Sequence, residues 1–312
     1  MRVLITGATG FLGGHLVRAS LERGDEVVAV ARRRGPGAPA SIEGSLGDPG
    51  LARAVRHAGA AIVHHLAYDV AALNAGDDED RRVNVLGSAA LIEAAIDGGA
   101  SHVVLASSGF VYGDAEVLPI PETHRLAPTT ANGRSKLDVE RAVRAVCETR
   151  GVSLTILRYA NLYGSIVPAR SARGARSREA ADPLHIERSR DRSVVARFAE
   201  ALRDGEPATI AGDGGQTRDF IHVADVVRAN LAAAERRLAG VYNVGTGVET
   251  SIAEVWEIVQ EALGIRGTVD RGPARGDDRA RNALDGSLLR NLAGLPEPLS
   301  LGDGVRADPS PR

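Results

Sequence analysis

Short apolar runs alternate with amphipathic segments along the first half of the chain. The apolar runs, which predict strands, cover residues 3–6, 26–31, 60–66, 102–106 and 153–157. The segments that predict helices cover residues 11–23, 51–57, 81–96 and 135–149. Strands joined through helices pair in parallel, because each crossover returns the chain to the same edge of the sheet. The sequence therefore predicts an α/β fold with a doubly wound parallel sheet.

The bulk properties bound the class of protein. The chain has 312 residues, of which 44% are hydrophobic, which is enough for a sizeable core. A formal net charge of −2 gives no reason to expect nucleic acid or an anionic membrane as a partner. Cys147 is the single cysteine, which excludes an internal disulfide. We find no signal peptide or apolar span, expect a cytoplasmic protein and predict no metal site.

The pattern also predicts how the chain is organised. We expect residues 1–160 to form mainly the core around the sheet, with residues 209–245 returning to it. Residues 161–208 and 246–301 are expected to form mainly a small C-terminal lobe, and residues 302–312 a disordered tail.

Residues 165–193 break the pattern. They are rich in Arg, Ala and Ser and have little periodic hydrophobicity. We interpret them as a mobile loop whose arginines are a solvated charge run.

A glycine-rich turn follows the first predicted strand and opens the first predicted helix. Glycines let the backbone approach a pyrophosphate, and the free N–H groups at a helix start carry partial positive charge. The turn thus predicts a dinucleotide site in a Rossmann-type sheet. The residues expected there are Gly7, Thr9, Gly10, Phe11, Leu12 and Gly13.

The end of the second predicted strand bears on the choice of cofactor. An acidic residue there binds the ribose 2′-hydroxyl of NAD, whereas an arginine accepts the 2′-phosphate of NADP. The sequence is Val30-Ala31-Arg32-Arg33-Arg34 and has no carboxylate. Arg32 and Arg33 therefore favour NADP(H) over NAD(H), with a surface arginine cluster as the alternative interpretation.

Further motifs follow in order as far as Asp285. They are Val63-His64-His65-Leu66-Ala67, Asn84-Val85-Leu86-Gly87, Ser107-Ser108-Gly109-Phe110-Val111-Tyr112-Gly113, Leu157-Arg158-Tyr159-Ala160-Asn161-Leu162-Tyr163-Gly164, Arg218-Asp219-Phe220-Ile221-His222-Val223-Ala224-Asp225 and Tyr242-Asn243-Val244-Gly245-Thr246-Gly247. The set resembles the extended short-chain dehydrogenase/reductases, and among them the NAD-dependent epimerase/dehydratase group, which acts largely on nucleotide sugars. The resemblance also implies a homodimer and cofactor contacts by Leu46, Leu66 and Ala67. It further implies that the core of residues 1–160 and 209–245 binds the dinucleotide and that the C-terminal lobe binds the substrate.

The resemblance implies catalytic roles that this chain fills only in part. A serine at the position of Ser108 holds the substrate's reacting oxygen, and a lysine at that of Lys136 binds the nicotinamide ribose. In relatives this lysine lowers the pKa of a tyrosine one helical turn earlier, which exchanges the proton as hydride moves. Here that position holds Asn132. An amide can polarise a carbonyl, but it has no pKa near neutrality and cannot be the acid or base.

If the site transfers a proton, another group supplies it. Tyr68 follows directly on the Leu66-Ala67 loop, which borders the nicotinamide in relatives; packing of its ring is an equal alternative. Weaker candidates are Thr130, His124 and a water held by Asn132 and Lys136. Buried, satisfied histidines are the expectation for His64, His65 and His222.

Arginines are expected on the substrate side. In nucleotide-sugar relatives, arginines at the positions of Arg218 and Arg275 clamp the substrate's pyrophosphate, and Asn161 would assist. Guanidinium groups suit this task because they pair with phosphate oxygens in a bidentate way. A structural ion pair is the alternative for Arg218.

Three functions follow from these observations. The first is an NADP(H)-dependent oxidoreductase that reduces a keto group on a sugar, most simply a nucleotide-linked one in deoxysugar or aminosugar biosynthesis. The second is an NAD(P)-dependent sugar epimerase with a substitute acid/base. The third, motivated by Asn132, is a cofactor-binding sensor or partner subunit whose chemistry has lapsed.

Overall fold

The structure, a computed structural model, describes residues 1–32, 40–164, 193–274 and 281–307. Its strands are β1 (Arg2–Thr6), β2 (Glu26–Ala31), β3 (Ser41–Glu43), β4 (Ile62–His65), β5 (His102–Ser108), β6 (Ser153–Tyr159), β7 (Asn161–Tyr163), β8 (Ala208–Ala211), β9 (Thr217–Arg218), β10 (Phe220–His222), β11 (Gly240–Val244), β12 (Thr250–Ser251) and β13 (Val269–Gly272). Its α-helices are α1 (Phe11–Glu22), α2 (Pro49–Arg56), α3 (Val70–Ala75), α4 (Asp77–Asp80), α5 (Gly87–Asp97), α6 (Ala131–Arg150), α7 (Val194–Asp204), α8 (Val223–Glu235), α9 (Ile252–Leu263), α10 (Ser287–Ala293) and α11 (Leu301–Ala307). A π-helical turn, Arg81–Leu86, joins α4 to α5, and a 3₁₀ turn, Gly109–Tyr112, follows β5.

A seven-stranded sheet with the order β3-β2-β1-β4-β5-β6-β11 forms the centre of the fold. All of its neighbouring strands pair in parallel. The predicted doubly wound α/β sheet is therefore confirmed. The chain moves outward in opposite directions from β1 and β4, so a crevice opens at their carboxyl ends, where ligands bind in such sheets.

The sheet is buried on both faces, which explains why its strands are continuous apolar runs. On β1, Val3 and Ile5 pack in one core with residues of α1 and α8, whereas Leu4 packs in the other with α2, α5 and α6. Each such fully buried side chain contributes about 1.5–3 kcal/mol. Successive side chains of one strand thus pack against the helices on opposite faces of the sheet.

A third core lies around Tyr163, Phe198 and Trp256, beside the two-stranded pairs β7–β10, β9–β12 and β8–β13. The helix α11 belongs to this core, with Leu301 and Val305 buried in it. The expectation of a disordered tail from residue 302 is wrong as far as Ala307. An apolar pair one helical turn apart and a Ser300 hydroxyl that accepts from the Asp303 N–H are enough to order it. Residues 308–312 and the Arg-rich stretch 165–192 lie outside the described residues.

The helix α6 begins at Ala131, earlier than the expected Ser135. The Thr130 hydroxyl caps it by accepting a hydrogen bond from the Gly133 N–H at 3.1 Å. Asn132 therefore lies in the first helical turn, one turn before Lys136. Within the described segments, no helix combines the length and hydropathy of a membrane span.

His64 is a buried polar side chain at the centre of the sheet. It is 0% exposed, and neither ring nitrogen makes a hydrogen bond of normal geometry among the described residues, which differs from the expectation of a satisfied histidine. Burial lowers the pKa of His64 to about 3. The ring is thus neutral in the folded protein, whereas the unfolded chain binds a proton near pH 6.5, so stability falls as the pH drops below that value.

We expect His64→Leu to remove this acid sensitivity. Between pH 7.5 and pH 5, the wild-type protein should lose about 2 kcal/mol of unfolding free energy that the variant keeps, because only the unfolded histidine takes up a proton. Urea unfolding at both pH values measures the difference. The matched control is His57→Leu at an exposed position, which should leave the pH dependence unchanged. Equal pH dependence of His64→Leu and wild type would contradict the assignment.

Candidate functional site

The glycine-rich turn lies at the crevice between β1 and β4. Gly7 has φ +67°, and a Cβ there would lie 3.0 Å from the Ala67 nitrogen. A Cβ on Gly13 would lie 2.1 Å from the Gly7 oxygen. Both positions therefore require glycine, and the turn is held against the loop after β4.

The start of α1 is open to a ligand. Gly10 occupies the N-cap position, and no side chain caps the first turn. Thr9 and Gly10 are exposed, whereas Phe11 and Leu12 are half-buried. Uncapped N–H groups at a helix start bind phosphate, so the predicted dinucleotide residues come together in a geometry that fits a pyrophosphate.

A buried hydroxyl holds the two sides of the crevice together. Thr6 Oγ1 accepts hydrogen bonds from the N–H groups of Leu66 (3.1 Å) and Ala67 (3.0 Å), so its own hydrogen is donated to Nδ1 of His65 (2.9 Å). The opposite nitrogen of His65 then carries a hydrogen and donates it to the Ser88 hydroxyl at 2.8 Å. Burial lowers the pKa of His65 to about 3. His65 is thus a neutral positioning residue, in accord with the expectation of a satisfied histidine.

Lys136 lies on the face of Tyr68. Its Nζ is 3.9 Å from the ring centroid, a cation–π contact, and it has no hydrogen bond or ion pair within the described segments. Burial lowers the pKa of Lys136 to about 8, against the carboxylates of Glu140 and Asp80, which raise it. An ammonium with unused donors on the loop that packs against the glycine-rich turn fits the hydroxyls of a ribose.

The Tyr68 hydroxyl is engaged in a chain of hydrogen bonds. It donates to Ser135 Oγ at 2.8 Å, and Ser135 donates to Asp80 Oδ1 at 2.8 Å. Asn84 Nδ2 donates to the same oxygen at 2.7 Å. Burial raises the pKa of Tyr68 to about 12. In this arrangement the phenol is a poor acid near neutrality, and its ring, rather than its hydroxyl, faces the lysine.

Ser108 and Asn132 lie on two turns that touch. Ser108 ends β5, and its Oγ accepts from the Phe110 N–H at 3.2 Å. A Cβ on Gly133 would lie 2.4 Å from the Phe110 oxygen, so the first turn of α6 packs directly on the 3₁₀ turn. The side-chain amide of Asn132 makes no hydrogen bond with the described residues. Both groups can therefore donate a hydrogen bond to a substrate oxygen.

The weaker candidates for the proton have structural partners. Thr130 caps α6. Of the His124 ring nitrogens, Nε2 accepts from the Glu116 N–H and Nδ1 donates to the Arg125 carbonyl oxygen. His222, which was expected to be a satisfied core histidine and not a proton donor, caps α8 and packs against Tyr163.

The predicted substrate-side residues Asn161 and Arg218 lie next to Asp219, whose carboxylate is buried. Asp219 accepts hydrogen bonds from the Thr246 hydroxyl and from the N–H groups of Gly247 and Leu284. The Asp219 carbonyl also receives the Asn161 N–H at 2.9 Å, which brings Asn161 beside the buried Arg218. Arg275 lies outside the described residues.

On the adenosine side, Leu46 is half-buried against the core of α2 and α5. Arg32 is 72% exposed, with Nη1 3.7 Å from Asp69 Oδ2. Arg33 lies outside the described residues. No cluster of three or more His, Cys, Asp and Glu side chains that could hold a metal occurs in the described parts of the chain.

Sequence reasoning missed the buried ion pair behind the site. Glu140 of α6 pairs with Arg158 of β6 through two hydrogen bonds of 3.0 and 2.7 Å, and it also accepts from the Ser107 hydroxyl. The Arg158 guanidinium lies 4.9 Å from the Tyr112 ring centroid. The one available signal was Glu140 in line with Lys136 at i, i+4 on α6.

Known proteins with similar sequences and structures belong to the family that the motifs resemble. The model of the NAD dependent epimerase/dehydratase family matches residues 3–245. The UDP-glucose 4-epimerase of Mycolicibacterium smegmatis is 30% identical over 320 residues, which cover 98% of this chain and 96% of that protein. The structure of UDP-glucose 4-epimerase from Thermotoga maritima with UDP-glucose has a TM-score of 0.84 at 28% identity and covers 99% of this chain and 97% of its own. The Thermus thermophilus UDP-glucose 4-epimerase complex with NAD has a TM-score of 0.82 at 31% identity, with the same coverage. The resemblance drawn from the motifs is confirmed.

We expect Glu140→Gln to destabilise the protein strongly. Loss of the carboxylate leaves Arg158 charged and buried without its counterion, at a cost of about 3 kcal/mol of unfolding free energy. The control is Asp138→Asn on the same helix, which breaks the exposed pair with Arg141 and should cost below about 0.5 kcal/mol. Denaturant unfolding of both variants measures the contrast, and similar losses would contradict a structural role for the buried pair.

Proposed function

The chain belongs to the NAD dependent epimerase/dehydratase family, and we propose that it binds NAD and a UDP-linked sugar and epimerises the sugar through a transient keto form. The observation that carries the proposal is the loop after β4, whose Ala67 lies against Gly7 of the glycine-rich turn and whose next residue, Tyr68, carries the unbonded ammonium of Lys136 on its ring. NAD, when bound, supplies a two-electron acceptor that takes a hydride from the sugar and returns it.

The residues of the crevice have distinct tasks in this proposal. The backbone of the glycine-rich turn binds the pyrophosphate, and Lys136 binds the ribose hydroxyls next to the reacting ring. The hydroxyl of Ser108 and the amide of Asn132 donate hydrogen bonds to the reacting sugar oxygen, where charge changes as the keto form appears. On the substrate side, Arg218 and Asn161 bind the sugar-nucleotide pyrophosphate, with Arg275 as a further candidate.

The cofactor is proposed to be NAD rather than the NADP(H) favoured by the arginines after β2. Arg32 lies beside the Asp69 carboxylate, which would repel a 2′-phosphate brought to that guanidinium. The Thermus epimerase to which the chain is similar binds NAD. A sugar ketoreductase that draws on NADPH remains the second candidate, because no acidic residue follows β2 to hold the ribose 2′-hydroxyl.

We expect NADH to bind more tightly than NADPH, because the Asp69 carboxylate repels the 2′-phosphate of NADPH, and the expected difference is about tenfold in Kd, or about 1.4 kcal/mol. Fluorescence titration of the reduced cofactors measures the ratio. The matched variant is Asp69→Asn, which removes the charge and keeps an amide oxygen to cap α3, and it should narrow the ratio. Tighter binding of NADPH to the wild-type protein would overturn the NAD assignment and favour the ketoreductase.

The substitution Asn132→Tyr tests whether Ser108 and Lys136 are arranged for catalysis. A phenol one turn before Lys136 restores a titratable group beside Ser108, and we expect interconversion of UDP-glucose and UDP-galactose to rise by about tenfold or more. Asn132→Phe adds the ring without the hydroxyl and should give no gain. Tight NADH binding with no turnover in either the wild type or Asn132→Tyr would contradict an epimerase and favour the lapsed cofactor-binding protein.

A further inference from the structure

Lys136, the only lysine of the chain, stands beside the position where a proton donor is missing. We propose that the amine of Lys136, which lies over the ring of Tyr68, itself takes the proton from the sugar hydroxyl and returns it. This inference rests on the proposed function. Tyr68 is then a positioning residue rather than the acid.

Among the titratable side chains around the crevice, Lys136 is the one whose polar atom is not already hydrogen-bonded within the described residues. Asn132, one turn earlier on the same face of α6, cannot titrate. The Tyr68 hydroxyl donates to Ser135, away from the lysine that covers its ring. His65 has both ring nitrogens bonded, to Thr6 and Ser88. The Lys136 ammonium alone in this group has no acceptor within the described residues.

The surroundings of Lys136 favour an amine that changes charge readily. The groups facing it are the Tyr68 ring, neutral His65 and the carboxylates of Asp80 and Glu140. Both carboxylates have other partners: Asp80 accepts from Ser135 and Asn84, and Glu140 is paired with Arg158. Neither carboxylate forms a direct ion pair with the lysine. The effect of burial, which lowers the pKa of Lys136, therefore outweighs their attraction, which raises it. Both protonation states of the amine are then populated near neutral pH, which is the condition for an efficient acid/base.

The proposed step transfers one proton to Lys136 and one hydride to the cofactor. The neutral Lys136 amine accepts the proton of the sugar hydroxyl and becomes the ammonium, while the carbon-bound hydrogen leaves as a hydride with two electrons to oxidised NAD. A carbonyl forms on the sugar. When hydride returns to the carbonyl carbon, the ammonium gives the proton back to the oxygen, and neither amine nor cofactor is consumed.

Because the chain has a single lysine, the titration of the Lys136 side chain can be observed directly. Protein grown with ¹³C-labelled lysine gives one side-chain NMR signal, which we expect to titrate near pH 8 rather than near the ordinary value of about 10.4. Tyr68→Phe keeps the ring and should leave this pKa in place, whereas Tyr68→Ala admits water and should raise it by about one unit or more. Titration of the wild-type signal near pH 10 would overturn the proposal without any measurement of activity.

Lys136→Arg separates proton transfer from binding. Arginine keeps the charge and hydrogen-bond donors but does not deprotonate below about pH 12. We expect NADH affinity to stay within about tenfold. Epimerisation should fall by about 100-fold or more, and the wild-type change of kcat near pH 8 should disappear. Lys136→Ala should recover part of the turnover with added methylamine, a readout that a merely structural lysine would not give.

The outcomes distinguish this inference from the function on which it rests. Turnover of Lys136→Arg with the wild-type rate and pH profile would overturn the role of the lysine and leave the epimerase standing. Wild-type protein that binds neither NADH nor UDP-glucose would overturn both.

Discussion

The hydroxyl of Thr6 joins the two strands at which the connections of the sheet reverse direction. It accepts two backbone N–H groups from the loop after β4 and donates to His65, so its hydrogen-bonding capacity is completely used. The same contact holds Gly7 against Ala67, at a distance that only glycine permits. The glycine-rich turn and the loop carrying Tyr68 are therefore placed relative to each other by one buried side chain, and the proposed cofactor site depends on that placement.

The helix α6 is fixed from behind by a different kind of interaction. A buried ion pair costs desolvation energy and is a weak source of net stability, but its bidentate geometry specifies how two elements meet. The pair of Glu140 with Arg158 does this for α6 and β6, and Gly133 lets the start of the helix touch the turn after Ser108. Lys136 is thus held in place by the buried pair of Glu140 one turn further along the same face of α6, and Asn132 by the contact of Gly133 with the turn after Ser108.

The strands and most long helices could be predicted because apolar periodicity is a local property that burial on both faces of a sheet reinforces. β3 and α11 could not, since three residues or one apolar pair give no periodic signal. The glycine-rich turn was visible for the same local reason. The chain from Tyr68 through Ser135 to Asp80 was not, because it joins residues far apart in the sequence whose meeting depends on the packing of α4 and α6. Asp80 in particular belongs to an acidic run that composition alone marks as a solvated surface.

Asn132 and Lys136 are best understood as a single feature of the site. Where a tyrosine lies between lysine and substrate, the ammonium stays charged and the phenol titrates, so an arginine would meet part of the same electrostatic need. Without the phenol, the group nearest the substrate must itself gain and lose a proton, and a guanidinium cannot do so near neutrality. The need for a cation that can lose its proton is a physical cause for one lysine in a chain that otherwise uses arginine for its side-chain cations. Burial beside the Tyr68 ring lowers the pKa of that lysine to about 8, against the carboxylates of Glu140 and Asp80, which raise it, and at that pKa such exchange is feasible.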